Sequence, residues 1–360
     1  MEFTKQDTKV FKGIAICFMI CHHLFTFPER LNGVSFISLP FPVYSGMTFA
    51  SFIALFGKLC VALFTLLAGY GAYHTLSRSE NKSSATARHV ISLYKAFWKV
   101  FILAVPISLL LGTERGNPFL EDLIYSFLGL RFTYCNEWWF ITPFAILTIF
   151  SPVFYRFVER KNSSLLTSFL WIVCVNAVIY YIIPETMRTA LLEEFSQGVF
   201  WEEVYVTFTL LPAYAIGMVL AKYDVFSAVK KKCLENIRAY VLPAIIVIGG
   251  LFFIHPVNWL AYDFINAAVF IICTIVLLCT KPGRFICPLF EKLGEESTSM
   301  WLIHTLLCYH WCQRLVFAPK YAPLIFIWLV ILSYIGAKLV RLFYFAIAKL
   351  TNLSHRLVTR

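Results

Sequence analysis

His23 is the residue in this chain best suited to chemistry, because imidazole is the side chain that exchanges a proton most readily near neutral pH. It lies in the apolar stretch Lys12-Gly-Ile-Ala-Ile-Cys-Phe-Met-Ile-Cys-His22-His23. At about 100° per residue, a spacing of eleven returns to within roughly 20° of the starting face, and the rise between the two ends is about 16 Å. Lys12 and His23 therefore share one helical stripe, with His22 about 100° away and more suited to a structural part. Singly, the lysine reads as a snorkelling cation and the histidine as a hydrogen-bonded core residue. Together they are costly to place in hydrocarbon, which points to a site inside a membrane bundle.

Three further constellations carry polar groups. Lys95 and Lys99 fall at i,i+4 and present two ammonium groups on one helix face, suited either to snorkelling or to a phosphate-bearing ligand. The run Leu293-Gly-Glu295-Glu296-Ser-Thr-Ser-Met-Trp-Leu-Ile-His304 has a Ser/Thr cluster that signals a helix N-terminus, with His304 one or two turns deep. Asn136-Glu137-Trp138-Trp139-Phe140 combines a carboxylate with a tryptophan pair, first of all an interfacial belt. Lys58, Asp263 and Asn266 are isolated polar residues in apolar segments, each requiring a partner. Nucleotide-binding loops, a G-x-S-x-G elbow and an H-E-x-x-H pair are absent. The 11 cysteines contain no C-x-x-C pair, so neither a zinc site nor a disulfide framework is indicated.

The elements that must position these residues follow from composition. The 360 residues are 59% hydrophobic and only 14% charged, with a mean hydropathy of +0.73. That is far below the charge of a soluble protein, and the apolar runs match a bilayer core. The expected fold is all-α and polytopic, with spans at roughly 11–27, 49–73, 90–111, 138–157, 164–183, 204–221, 239–256, 260–280, 298–317 and 323–345. These ten spans form one domain, 1–360 with a core at 9–345, carrying no attached soluble domain. The basic start lacks a small-residue cleavage site, so the first span is read as uncleaved. The net charge of +11 is confined to loops and span edges, which disfavours nucleic acid as a partner. With both termini cytoplasmic, only Arg30, Arg115, Arg131, Arg188 and Lys320 fall outside, while Lys58 and Arg314 lie in or at the ends of spans. Residues 119–131 are apolar but too short to cross, hence an interfacial or re-entrant helix on the outer face. The outer loop 184–203 is acidic, with Glu185, Glu193, Glu194, Glu202 and Glu203.

Taken in order, these constellations resemble the integral-membrane acyltransferase 3 family, bacterial enzymes that O-acylate cell-surface glycans. The Lys12-to-His23 spacing is similar to the family's basic residue, ten positions and histidine, with lysine where arginine is commoner. Leu63-Phe-Thr-Leu-Leu-Ala68-Gly69-Tyr70 resembles its Phe-x-x-x-Ser-Gly-Tyr/Phe element, with Ala68 for serine. Lys95-Ala-Phe-Trp-Lys99 corresponds to its Arg-x-x-x-Arg pair. Trp138-Trp139-Phe140 with Ser151-Pro152, and Leu293 through His304, match two more motifs.

The resemblance implies an acetyl-CoA-dependent O-acetyltransferase of the bacterial cytoplasmic (inner) membrane, multi-pass, with acyl-CoA as co-substrate and no permanently bound cofactor. Lys12, Lys95 and Lys99 would hold the phosphates of the donor. His23 would act as general base or transient acyl carrier, with His304 and Glu295 (or Glu296) completing the inner pocket. Glu137, Trp138 and Trp139 would meet the acceptor, a surface polysaccharide or its lipid-linked precursor. The residues themselves leave a rival open: a transporter or flippase-like carrier, with Lys58, Asp263 and His23 along its path.

Overall fold

The computed structural model describes residues 2–41, 46–112, 120–182, 199–255 and 261–358. The expected acidic loop, with Glu185, Glu193 and Glu194, lies outside them, as do Arg115 and Arg188 and the side chains of Glu202 and Glu203. The described chain is mostly helical, and among the described residues there are isolated bridges but no strands. In order the helices are α1 (Lys5–Phe25), α2 (Phe49–Gly57), α3 (Cys60–Ser77), α4 (Lys82–Leu111), α5 (Leu120–Phe127), α6 (Ile141–Val158), α7 (Leu165–Ala177) and α8 (Val199–Lys222). They continue as α9 (Val225–Glu235), α10 (Ile237–Ile254), α11 (Asp263–Leu278), α12 (Lys281–Glu295), α13 (Ser297–Thr305), α14 (Gln313–Phe317) and α15 (Ala322–Val358).

Among the described residues six helices are long and apolar enough to cross a membrane, and up to eight if two bent pairs each count as one span. The ten expected crossings are therefore not all reproduced. The fifth is the short apolar helix Leu165–Tyr181. The ninth is broken, because α13 passes into a π-turn at Leu306–Trp311 before α14 begins. The segment after the eighth span, expected as a loop, forms α12, which bends 116° from α11. Lys281, Arg284, Glu291 and Lys292 alternate there with apolar residues, and Phe285 and Leu289 are exposed. Such a helix is amphipathic and suits an interface better than a crossing.

α1 is the hub that carries the candidate residues. Thr4 and Asp7 form a capping box at its start, and Lys230 of α9 anchors Asp7 at 2.8 Å. α12 lies against its first half with almost no space between backbones. A Cβ at Gly13 would stand 2.0 Å from the carbonyl oxygen of Phe290, and one at Gly294 would stand 1.8 Å from that of Lys9. Small residues that allow backbones to touch are the usual means of joining helices in lipid, where no hydrophobic force drives them together. α3 and α8 repeat the device through Gly69 and Gly217, each facing a carbonyl of the other helix.

Residues 120–140 turn back into the bundle. Trp98 of α4 donates to the carbonyl of Phe127 at 2.8 Å and stacks on its ring at 5.0 Å, while the Tyr94 hydroxyl donates to Leu128. Trp98 lies thirteen residues before the end of α4, about 20 Å of helix rise. Gly129 makes the turn with φ of 74°, and the Thr142 hydroxyl donates to its carbonyl. Arg131 is neutralised within the segment by Asp122 and Glu121. The 3₁₀ turn Asn136–Phe140 then enters α6 beside α13.

Candidate active site

His23, in the last turn of α1, meets His304 of α13 with its Nδ1 2.8 Å from His304 Nε2. His304 is fully buried, and its Nδ1 lies 2.7 Å from the carbonyl oxygen of Trp301 and 3.2 Å from that of Met300. A carbonyl only accepts, so His304 carries its proton on Nδ1 and its Nε2 is an acceptor. His23 must then donate from Nδ1, which leaves Nε2 of His23 with a free lone pair. Hydrogen-bond geometry thus orders the two rings into a directed chain whose open end is a base.

Around this pair stands a second layer of aromatic and charged groups. The Tyr309 hydroxyl donates to the backbone carbonyl of His23 and holds the end of α1. Phe27 stacks on the His23 ring, with centroids 6.1 Å apart, and the Arg30 guanidinium lies 4.3 Å above Phe27. Arg30 also lies 5.3 Å from the Tyr309 ring centre and pairs with Glu137 at 2.5 Å. Trp301 donates to the Glu137 carbonyl at 3.1 Å, and Trp138 donates to the Leu302 carbonyl at 2.9 Å. These two indole bonds tie the 3₁₀ turn to α13, so Glu137 and His304 are positioned by one joint. Cys135 fills the remaining corner, its thiol 3.5 Å from Glu137 Oε2 and 3.4 Å from the Thr305 hydroxyl. Burial, and then the Glu137 carboxylate, push that thiol well above its ordinary range, so it stands there as a neutral group.

His22 faces away. Its Nδ1 donates to the Ala54 carbonyl of α2 at 2.9 Å, and its ring lies 5.5 Å from that of His23.

The lysines separate into two classes. Lys9 pairs with Glu295 at 2.7 Å, Lys338 with Glu296 at 2.7 Å, and Lys230 with Asp7. No carboxylate stands within ion-pair distance of Lys12, Lys95 or Lys99 among the described residues; Lys99 instead lies 5.7 Å over the Tyr344 ring. Lys12 is half-buried and Lys95 and Lys99 are exposed. They are cations whose counter-charge is supplied by nothing in the described chain.

Three expected placements differ in the structure. Glu295 lies with Lys9 near the start of α1, fourteen residues and about 21 Å of helix rise from His23, and is not brought to the histidine pair. The inward-facing neighbour is Glu296, which is buried but bound to Lys338 and to Arg341 at 2.6 Å. Trp138, expected at the outer mouth, is 1% exposed and packed edge-on against Phe97, so its indole walls the site from within. Trp139 is the half-exposed member of the pair. Glu137, expected as an open carboxylate, is buried and paired with Arg30.

Arg30, Tyr309 and Phe27 were not among the expected site residues. Arg30 did carry a signal, as one of the few cations placed against the cytoplasmic bias of charge. Among the described residues no three His, Cys, Asp or Glu side chains converge as a metal site requires.

A family model described as "Acyltransferase domain" (Acyl_transf_3) matches residues 8–341, a stretch that includes every element of this site. No curated protein and no solved structure matches the chain significantly. Matched over nearly its whole length, with a helical, multi-pass bundle around a histidine pair, the chain belongs to the acyltransferase 3 family of membrane acyltransferases.

Proposed function

We propose that this membrane acyltransferase moves an acetyl group from acetyl-CoA to a hydroxyl of a cell-surface polysaccharide or its lipid-linked precursor. The observation that carries this reading is the directed His304–His23 chain, which leaves His23 Nε2 unprotonated at the end of a buried helix. As the acceptor oxygen bonds to the thioester carbonyl carbon, its proton passes to His23 Nε2. The C–S bond then breaks, and the thiolate leaves with that proton. While His23 is doubly protonated, His304 Nε2 accepts from its Nδ1. Arg30 uses one N–H on Glu137 and has others to offer the negative oxygen of the tetrahedral intermediate.

The donor's phosphates are assigned to Lys12, Lys95 and Lys99, none of which has a carboxylate at ion-pair distance among the described residues. Lys12 lies about 16 Å along α1 from His23, a separation suited to an extended pantetheine arm bridging phosphates at one end and thioester at the other. On this reading the donor enters from the cytoplasm, α1 begins there, and the protein works in a bacterial inner membrane. Trp139 and the Arg30 side of the site face the acceptor.

The test uses purified protein in liposomes with isotope-labelled acetyl-CoA and an acceptor glycan. Wild-type protein should label the glycan, and His23→Ala, at equal abundance, should not. Undiminished labelling by His23→Ala would remove His23 from the chemistry, and no labelling by wild type with any surface glycan would refute the reaction.

A further inference from the structure

A second polar cluster, with His255 buried and Asp263 and Lys58 half-buried, lies on the other side of His22. Asp263, the first residue of α11, stands 3.0 Å from Nε2 of His255, which follows α10 and is fully buried. Lys58, which ends α2, lies within electrostatic reach of Asp263, and both Lys58 and His255 are within reach of His22. Moving such charges out of water costs several kcal/mol per ion, and a pair of apolar residues would fill the same space at no such cost. The cluster thus needs a reason beyond stability.

That reason lies in the last turn of α2. Ala54 supplies the carbonyl that accepts from His22 Nδ1. Phe56 stands edge-on to the His255 ring at 5.5 Å and stacks on Phe252 at 3.8 Å. A Cβ on Gly57 would stand 2.5 Å from the Phe18 carbonyl and 3.2 Å from the His22 Cβ, so α2 is seated on α1 at the histidines. Lys58 then closes the turn toward Asp263. Four of the five residues 54–58 thus connect the histidine-bearing turn of α1 with the ends of α10 and α11, and a charge pair fixes the far side. Apolar contacts are non-directional and allow a helix end to rotate or slide, whereas a buried charge holds one register.

We propose that Lys58, His255 and Asp263 are positioning residues for acyl transfer: they pin the last turn of α2, which orients His22 and thereby fixes the ring of its neighbour His23. The inference rests on the proposed role of His23. Removing one charge of a buried pair leaves the other uncompensated, whereas removing both relieves that penalty. The variants Asp263→Asn, Asp263→Glu and Lys58→Met/Asp263→Asn are compared in liposomes for melting temperature, kcat and KM, with His23→Ala as the inactive reference.

Asp263→Asn should lower both melting temperature and kcat, and Asp263→Glu should recover most of each. The double variant should regain the wild-type melting temperature yet keep kcat reduced about tenfold, with KM for donor and acceptor unchanged. In nitrogen-15 spectra of histidine-labelled protein, the double variant should show the His22 and His23 ring signals doubled or broadened. If the double variant recovers kcat together with stability, or its ring signals match wild type, the cluster is a structural ion pair and the inference fails. A wild-type protein with no more transfer than His23→Ala would instead overturn the role of His23. The ring spectra, which need no turnover, would still judge the cluster.

Discussion

Replacing His304 tests the histidine chain at its joint. His304→Phe keeps the ring volume and deletes the acceptor that meets His23 Nδ1 at 2.8 Å. A buried donor left without a partner costs about 1–3 kcal/mol. The tautomer with its proton on Nδ1, the one that frees Nε2 as a base, becomes the less stable form by that amount. In the transition state His23 gains positive charge, and a hydrogen bond from a charged donor is roughly twice as strong as a neutral one. The combined loss is about 3–4 kcal/mol, or roughly 10²–10³ in rate at 1.36 kcal/mol per decade. Gln at the same position offers a carbonyl oxygen to His23, so His304→Gln should lose less than about tenfold. Initial rates of glycan labelling at saturating donor and acceptor, with protein quantified in the liposomes, separate the two variants. Transfer by His304→Phe within about threefold of wild type would refute the ordered chain, as would equal losses for the Phe and Gln variants.

Other expectations follow from individual contacts. Arg30→Gln should reduce kcat by about 10²-fold, the order of one oxyanion donor, with a smaller effect on donor KM; a change confined to KM would place Arg30 in binding alone. Lys12→Ala, alone or with Lys95→Ala and Lys99→Ala, should raise the KM for acetyl-CoA several-fold, whereas Lys9→Ala, three residues away and spent on Glu295, should not; equal effects would make these lysines interchangeable edge charges. Gly294→Ala should destabilise by at least the ~1–3 kcal/mol of an overpacked core, seen as a lower melting temperature in detergent, because the new Cβ meets the Lys9 carbonyl. An unchanged melting temperature would show that α12 is not tied to α1 in solution.

Much of this architecture is legible in the sequence because hydrocarbon imposes one rule on every crossing helix. The long apolar runs that become α1, α4, α10 and α15 declare themselves. The fifth and ninth runs do not, since apolarity states that a segment is buried without stating that it is continuous. α12 falls outside the expected spans because charged residues in its turns lower its mean hydropathy, as they do in an interfacial helix. The chemistry divides similarly. His23 and His304 each stand out as intramembrane histidines, yet their contact spans 281 positions of sequence and belongs to the packing of α1 on α13. Glu295 ends α12 and Glu296 lies at the break before α13, and only the packed structure shows which one turns inward. Arg30 reaches the site because the Pro28–Arg30 turn folds back beneath Tyr309. No local pattern marks that fold.

The Trp301 carbonyl that accepts from His304 belongs to the main chain, and this has a consequence for how the site can vary. In the catalytic pairs of many hydrolases the orienting group is a carboxylate, which substitution can remove or acid can silence. Here the terminal acceptor is present in every residue type and does not titrate. The polarity of the histidine chain is therefore inherited from the screw sense of α13. Side chains may be exchanged along that turn without reversing it, because the acceptor and His304 move together with the helix.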